Sequence, residues 1–502
     1  MKNMIKWLIR LAVDLLPPQL LRQVIHASPS RLLHIFNYSW ETGQVPYELW
    51  DISSGPEGHM MIQGCDCVSL AKQYGTPLHV VDKNRLKKNY FSFYDSFRKW
   101  YPRIEICYSY KTNPIPGVIR ALHEFGAGAE VVSPYELRLA LTLGVPPERI
   151  IYNGPGKTDE GLTIAVSNKI KLINIDGPSE IETIDRLARQ NGHKQQVGVR
   201  VVTSVGWKRK FGFSIESGEA FRAYQRLNEL QNLVPCGLHF HLGTDITNIN
   251  TYLRAIKETI DLSMLLKRQL GITLRYFDFG GGFYVPSIRV YSELDNKLLK
   301  ENLPLRKTKL RSLLPLSEYG RAITELFGSY YPPDLDDPVT IILEPGRAIT
   351  SSSQSLLLKV LDTKPPLNGI TDVILDGGNN FALPLEWERH EIIHATNMNA
   401  PADSYYKLFG PLCTPTDVLF QVKRLPRLER GDILAIMDAG AYFTSTQSNF
   451  CFFPRPPTVL VKDLHHDLIR KRESFEDMIA QDFPGQWQHS KDRAEVGNQK
   501  PL

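Results

Sequence analysis

The chain has 502 residues, 42% hydrophobic and 23% charged, with a formal net charge of +5, a composition that excludes a fibrous or disordered protein. No apolar run reaches the length a membrane-spanning helix needs, and the basic residues are interspersed with acids, so they form no stripe for nucleic acid. The cysteines at 65, 67, 107, 236, 413 and 451 show no paired metal-ligand spacing beyond Cys65-x-Cys67, and a reduced, cytoplasmic setting is expected.

The opening stretch MKNMIKWLIRLAVDLLPP couples a lysine-bearing start to an apolar run, but Arg10 and Asp14 interrupt that run and no small-residue cleavage site follows. Trp7, Leu8, Leu11, Ala12 and Leu15 recur at helical spacing, which predicts an amphipathic helix ended by Pro17-Pro18. It would dock on the protein itself, or rest on a membrane surface or a partner. Residues 1–57 are read as this N-terminal extension. The next segment, GHMMIQGCDCVSLAKQYGTPLHVVD, is expected to lend a strand within 58–82 to a β-rich domain built mainly from later residues.

From about residue 100 one phrase repeats: a short apolar run, a polar or glycine-containing tip, then a helix-compatible stretch. The runs are EICYSY at 105, AEVVS at 129, RIIYN at 149, KLINI at 171, QVGVRVV at 196, CGLHFHL at 236, LRYFDF at 274 and TIILE at 340. Between them lie candidate helices such as PIPGVIRALHEFG, PYELRLALTLG, PSEIETIDRLARQ and NINTYLRAIKETIDLSMLLKRQLG, with Gly or Pro near their ends. Alternation of this kind predicts an α/β fold, a (β/α)8 TIM-type barrel over 83–348.

Residues 286–338 are long for one crossover, and the basic, proline-marked piece around LPLRKTKLRSLLP reads as a surface insertion ahead of the helix LSEYGRAITELF. Beyond 349 the runs SLLLKVLDT, DVILDG, ILAIMDAGAY and TVLVKD follow one another without long helices, giving a discontinuous, C-terminal β-rich domain over 349–463. The charged tail, 464–502, is expected to form a short helix and then disorder. His465 and His466 are adjacent and point different ways on a helix or strand, against a metal site.

Barrel enzymes work at the carboxyl ends of their strands. The predicted tips carry Lys111, Ser133, Asn153, Asp176, the region after Arg200, His241, Asp278 with Gly280, Gly281 and Gly282, and Glu344 with Arg347. Taken singly, a tip lysine is a snorkelling surface residue and a glycine triplet a tight turn. Together, an amine nucleophile, an anion cradle after the seventh strand and an acid on the opposite rim are what a pyridoxal-phosphate site requires.

The motifs YSYKTNP, GAEVVSPYEL, GLHFHLG, DFGGGF, LEPGR, GPLCTPTD and DAGAY, in that order between about 58 and 463, resemble the diaminopimelate and ornithine decarboxylases of the alanine-racemase-like fold. The resemblance implies pyridoxal 5′-phosphate as cofactor, held as an imine on Lys111, with His241 stacked on its ring. Glu344 would meet the ring nitrogen; Thr244, Gly280 to Gly282, Gly346, Arg347 and Tyr442 would hold the phosphate end. It further implies a homodimer in which Cys413 of one subunit returns a proton to the substrate carbon of the other, so that Lys111, Cys413, His241 and Glu344 form the catalytic set. Arg347, Thr414, Asp417, Tyr442 and Phe450 would surround an amino-acid-like substrate.

An acid at Glu344 keeps the ring nitrogen protonated and favours loss of carboxylate, whereas racemases of this fold resemble one another in carrying an arginine there. A racemase or epimerase, and a non-catalytic binding homologue, are the alternatives. The sequence also departs from the family pattern. Thr414 stands where an acid meets the distal amine, and Leu383 or Pro384 where an arginine meets a distal carboxylate, which argues against diaminopimelate as substrate. YNGPGKT is similar to decarboxylases of siderophore, antibiotic and carrier-linked pathways, and the basic loop GWKRKFGF is either a contact for an acidic substrate arm or a solvated loop.

Overall fold

The computed structural model describes residues 46–291, 313–367 and 369–482. The expected N-terminal helix, most of the predicted insertion and the last part of the tail lie outside them. No helix among the described residues is long and apolar enough to cross a membrane.

All eight predicted runs form parallel strands: Ile104–Ser109, Gly128–Val131, Ile150–Tyr152, Leu172–Ile175, Gln195–Val202, Leu233–His239, Tyr276–Asp278 and Thr340–Leu343. Each pairs with the next, and Thr340–Leu343 pairs back to Ile104–Ser109, so the sheet closes into a barrel. Helices including Pro116–Phe125, Pro134–Thr142, Pro178–Gln190, Ile249–Leu270 and Leu316–Gly328 form the crossovers. Local chemistry starts and stops them: Ser133 Oγ caps the Glu136 N–H, and Gly126 and Gly271 take left-handed conformations at helix ends.

Side chains alternate across a strand, and here the alternation sorts chemistry from packing. Ile106, Tyr108, Ala129, Val131, Ile150, Ile173, Ile175, Val197, Val199, Leu238, Phe277, Ile341 and Leu343 belong to the large core that includes the helices. The intervening residues face the barrel interior. At one level Cys107, Ile151, Leu172, Cys236 and Ile342, each from a different strand, form a separate apolar plug. Two residues further along the same strands stand Ser109, Asn153, Asn174 and Glu344, joined by Glu130, Arg200, His239 and Asp278, all buried. The barrel is thus stoppered at one end and polar toward the carboxyl ends of its strands. Gly198 is required by this filling, since a Cβ there would lie 2.1 Å from Asn174 Oδ1.

The β-rich domain is assembled around Gln354–Thr363. That strand pairs antiparallel with Leu78–Asp82, with Ile433–Ile436 and with Ile370–Leu375. Thr458–Lys462 lies parallel on the other side of Leu78–Asp82, so a strand that precedes the barrel sits inside the sheet that follows it. Leu357 faces one core of this domain, whereas Leu356 and Leu358 face another. Strands Ser404–Phe409 and Val418–Leu425, which the sequence reading did not single out, extend the sheet.

The tail also departs from expectation at its start. His465–Arg470 is a strand, paired antiparallel with Thr458–Lys462. Asp463 and Leu464, both at positive φ, make the tight turn between them without the glycine that usually signals one. The expected short helix follows at Phe475–Ile479.

Candidate active site

A pocket opens at the carboxyl ends of the barrel strands. Its walls include Lys111, Thr112, Trp207, His241, Thr244, Gly282, Glu344, Gly346, Arg347 and Tyr442. The first strand ends at Ser109 and a single 3-10 turn, Tyr110–Thr112, brings Lys111 to the pocket, while His241 reaches it from just beyond the end of Leu233–His239. Tyr442 comes from the β-rich domain. Its backbone N–H donates to Thr112 O at 2.8 Å, clamping that domain onto the turn that carries Lys111.

Glu344 sits at the centre of a buried polar layer. Asn153 Nδ2 donates to its Oε1 at 2.5 Å, and His239 Nε2 lies 3.5 Å from Oε2. Burial opposes its ionisation, yet His239, a hydrogen bond from Asp278 and the charge on Lys111 hold the carboxyl below its ordinary range. Asp278 is the opposite case: burial and the neighbouring Glu344 charge push it well up. Each charge disfavours the other, and the surroundings favour ionisation of Glu344 over Asp278.

Lys111 is half-buried; desolvation of its amine by itself would discharge it, but Glu130, Tyr442 and Glu344 face it and hold its pKa above the ordinary lysine value. His241 is pushed the other way, to about 3, by burial and by Lys111. The Gly281 N–H donates to its Nδ1 at 3.2 Å, so the neutral ring keeps its proton on Nε2.

The glycine triplet divides its tasks. Gly280 N–H is taken by Asp278 Oδ1 and Gly281 N–H by His241, while Gly282 lines the pocket. None admits a side chain: a Cβ on Gly280, Gly281 or Gly282 would come within 2.5, 2.4 or 2.5 Å of the carbonyl oxygens of Phe240, Glu344 and Gly243. Gly346 is equally confined, its Cβ position lying 2.0 Å from Thr112 Oγ1.

These features fit pyridoxal phosphate. The pocket holds a half-buried amine, a neutral aromatic ring and an ionised carboxylate around one space, with close-approaching glycines at its edge. Ser109 Oγ and Thr112 Oγ1, both in the wall, have no hydrogen-bond partner among the described residues.

Other expected site residues lie elsewhere. Cys413 is exposed and Phe450 is 54% exposed, and neither lines the pocket of its own chain; nor does Thr414. Asp417 does not line that pocket either. Its Oδ1 accepts the Asn379 N–H at 2.7 Å and its Oδ2 the Leu412 N–H at 2.9 Å, so the buried carboxylate pins a loop.

Sequence reasoning missed several neighbours. His239 shared a strand face with His241, a period-two signal available in GLHFHLG. Trp207, whose ring lies 5.4 Å from that of His241, was read only as part of a basic loop. Glu388 carried no local signal at all. It is almost fully buried, and its Oε2 pairs with Arg347 Nη1 at 2.5 Å.

The profile of a family described as "Pyridoxal-dependent decarboxylase, pyridoxal binding domain" matches residues 91–351. Diaminopimelate decarboxylase of Methanothermobacter thermautotrophicus is 31% identical over 441 residues, 86% of this chain and 96% of that protein. The protein of the same name from Aquifex aeolicus is 30% identical over 436 residues, 84% and 95% of the two chains. The crystal structure of diaminopimelate decarboxylase from M. jannaschii in co-complex with L-lysine matches with a TM-score of 0.78 at 29% identity, covering 87% of this chain and 98% of that one. Lysine decarboxylase from Selenomonas ruminantium shares the fold, with a TM-score of 0.66 at 24% identity over 79% of this chain and 95% of that one.

Proposed function

This chain belongs to the pyridoxal-dependent decarboxylases, and we propose that it removes the α-carboxylate of an amino acid or amino-acid derivative other than diaminopimelate. The observation that carries the site assignment is the convergence of Lys111, His241, Gly282 and Glu344 on one pocket. When bound, pyridoxal phosphate supplies an electron sink for the pair left on the α-carbon as carbon dioxide departs.

The chain's own residues would do the rest. Lys111 attaches the cofactor through its amine. The neutral His241 ring, fixed by Gly281, packs on one face of the cofactor ring. Glu344 holds a proton at the ring nitrogen, which its charge stabilises in a dry site. Gly282, Thr244, Gly346, Arg347 and Tyr442, all in the pocket wall, would hold the phosphate end. Asp278 and His239 act beneath Glu344, keeping the charge on that acid.

Cys413 and Phe450 reach a pocket only in a homodimer, each subunit supplying them to the other, with Cys413 returning the proton to the α-carbon. The six cysteines are free, four of them buried, which suits a reducing, cytoplasmic setting. Against diaminopimelate stand Thr414 and Leu383 or Pro384, which by the family resemblance give no charge where relatives meet a zwitterionic distal end.

The test is release of carbon dioxide by the purified holoenzyme from a panel of amino acids and their derivatives, meso-diaminopimelate included. The reading expects another member of the panel to be turned over far better. Preferential turnover of diaminopimelate overturns it, and exchange of the α-hydrogen without carbon dioxide would point to a racemase.

A further inference from the structure

Arg347, expected both at the phosphate end and beside the substrate, is a cation in the pocket wall that a second carboxylate on a substrate would seek. Its guanidinium is buried and lies over the Tyr442 ring at 5.2 Å. That cation is already matched in charge, though Nη1 itself makes no well-aligned hydrogen bond among the described residues. Glu388 Oε2 lies 2.5 Å from Arg347 Nη1, and the carboxylate is held on its other sides by Trp387 Nε1, 3.0 Å from Oε1, and by His390 Nε2, 3.3 Å from Oε2. His390 is anchored in turn, its Nδ1 lying 2.9 Å from Met437 O. Glu388 is 1% exposed, so this is a fixed charge and not a swinging surface acid.

We propose that Glu388 is a specificity-determining residue that acts through Arg347: it neutralises the guanidinium and so excludes substrates bearing a second carboxylate. A buried arginine without a counter-ion would recruit an anion, and a planar guanidinium offers a carboxylate two parallel hydrogen bonds. With Glu388 in place an incoming carboxylate must displace an ion pair and face a like charge, which is discrimination by repulsion. The substrate class that remains is an amino acid whose distal end is neutral or cationic. This inference rests on the decarboxylase reading of the same pocket and names the residue that enforces its substrate choice.

The experiment is calorimetric titration of pimelate, the dicarboxylate skeleton of diaminopimelate, into the holoenzyme, alongside the same titration of Glu388→Gln and Glu388→Asp. The wild type should bind pimelate weakly or not at all. Glu388→Gln, close in shape but uncharged, should bind it at least roughly tenfold more tightly, while Glu388→Asp should retain the exclusion. The absorbance of the bound cofactor and the melting temperature identify a variant that has lost its fold.

Equal, weak binding by wild type and a folded Glu388→Gln overturns the inference, as does tight binding by the wild type, which needs no variant to fold. Efficient decarboxylation of diaminopimelate by the wild type would instead sink the substrate reading itself. A wild type inactive on diaminopimelate with no gain in Glu388→Gln would sink the role of Glu388 alone.

Discussion

Gln354 donates from Nε2 to His79 Nδ1 across 2.9 Å in a region where both side chains are buried. Gln354 Oε1 in turn accepts from Asn113 Nδ2 at 2.8 Å, and Asn113 lies two residues beyond Lys111. An imidazole bare at Nδ1 carries its proton on Nε2; Gln447 Nε2 lies 2.7 Å away and cannot accept it, so the Gln447 amide must be turned to present Oε1, which otherwise has no partner among the described residues. One directional chain of hydrogen bonds therefore runs from the lysine-bearing turn into the β-rich domain. It requires a neutral His79, and burial pushes that ring's pKa down to about 3.

Stability should consequently fall in acid. Between the ordinary histidine value near 6.5 and about 3, the unfolded chain binds a proton at His79 that the folded chain refuses. The contribution is complete above about pH 6.5 and is lost as pH falls through that window, by up to about 1.4 kcal/mol per pH unit. Denaturant unfolding of wild type and His79→Gln between pH 7 and pH 4 checks this, the variant showing the shallower slope; parallel slopes would refute it.

Replacing Lys111 with alanine removes the attachment amine. The purified variant should lose the visible absorbance of lysine-bound cofactor, and carbon dioxide release should drop by roughly three orders of magnitude or more. Borohydride reduction followed by peptide mass mapping of the wild type should label Lys111; a label on another lysine would reassign the site.

Gly281 is a purely steric test, because its φ is not positive and only space forbids a side chain. A Cβ there would lie 2.4 Å from Glu344 O. Gly281→Ala should displace the cradle and the His241 ring together, weakening cofactor affinity by roughly tenfold or more. Equilibrium dialysis of the cofactor reads this directly, and unchanged affinity would show that the cradle is not where it binds.

Glu344→Gln keeps shape but removes the charge opposite the ring nitrogen. The cofactor should remain bound while kcat falls by about 10² or more. Comparing the loss in kcat with that in KM separates an effect on chemistry from one on binding. A variant with native kcat would remove Glu344 from the mechanism.

Mixing inactive Lys111→Ala with inactive Cys413→Ala subunits should restore activity if two chains share each site. Random reassortment leaves about a quarter of the sites intact. Recovery near that fraction supports shared sites, and no recovery after verified subunit exchange rules them out.

The barrel could be read from sequence because its signals are local. Period-two alternation in runs such as KLINI and TIILE, capping residues and helix-stopping glycines act within a few residues of themselves, so eight strands and the tip positions of Lys111, His241 and Glu344 followed without coordinates. What depends on long-range pairing did not. The strand His465–Arg470 hides behind a glycine-free turn, and the Asp417 carboxylate takes one backbone amide from its own loop and another from Asn379, 38 positions away. Glu388, in a stretch that carries no local signal, acquires its charge partner in Arg347, 41 positions earlier in the chain. Charge, burial and hydrogen-bond satisfaction are sums over all neighbours in space, and a sequence fixes only the neighbours along the chain.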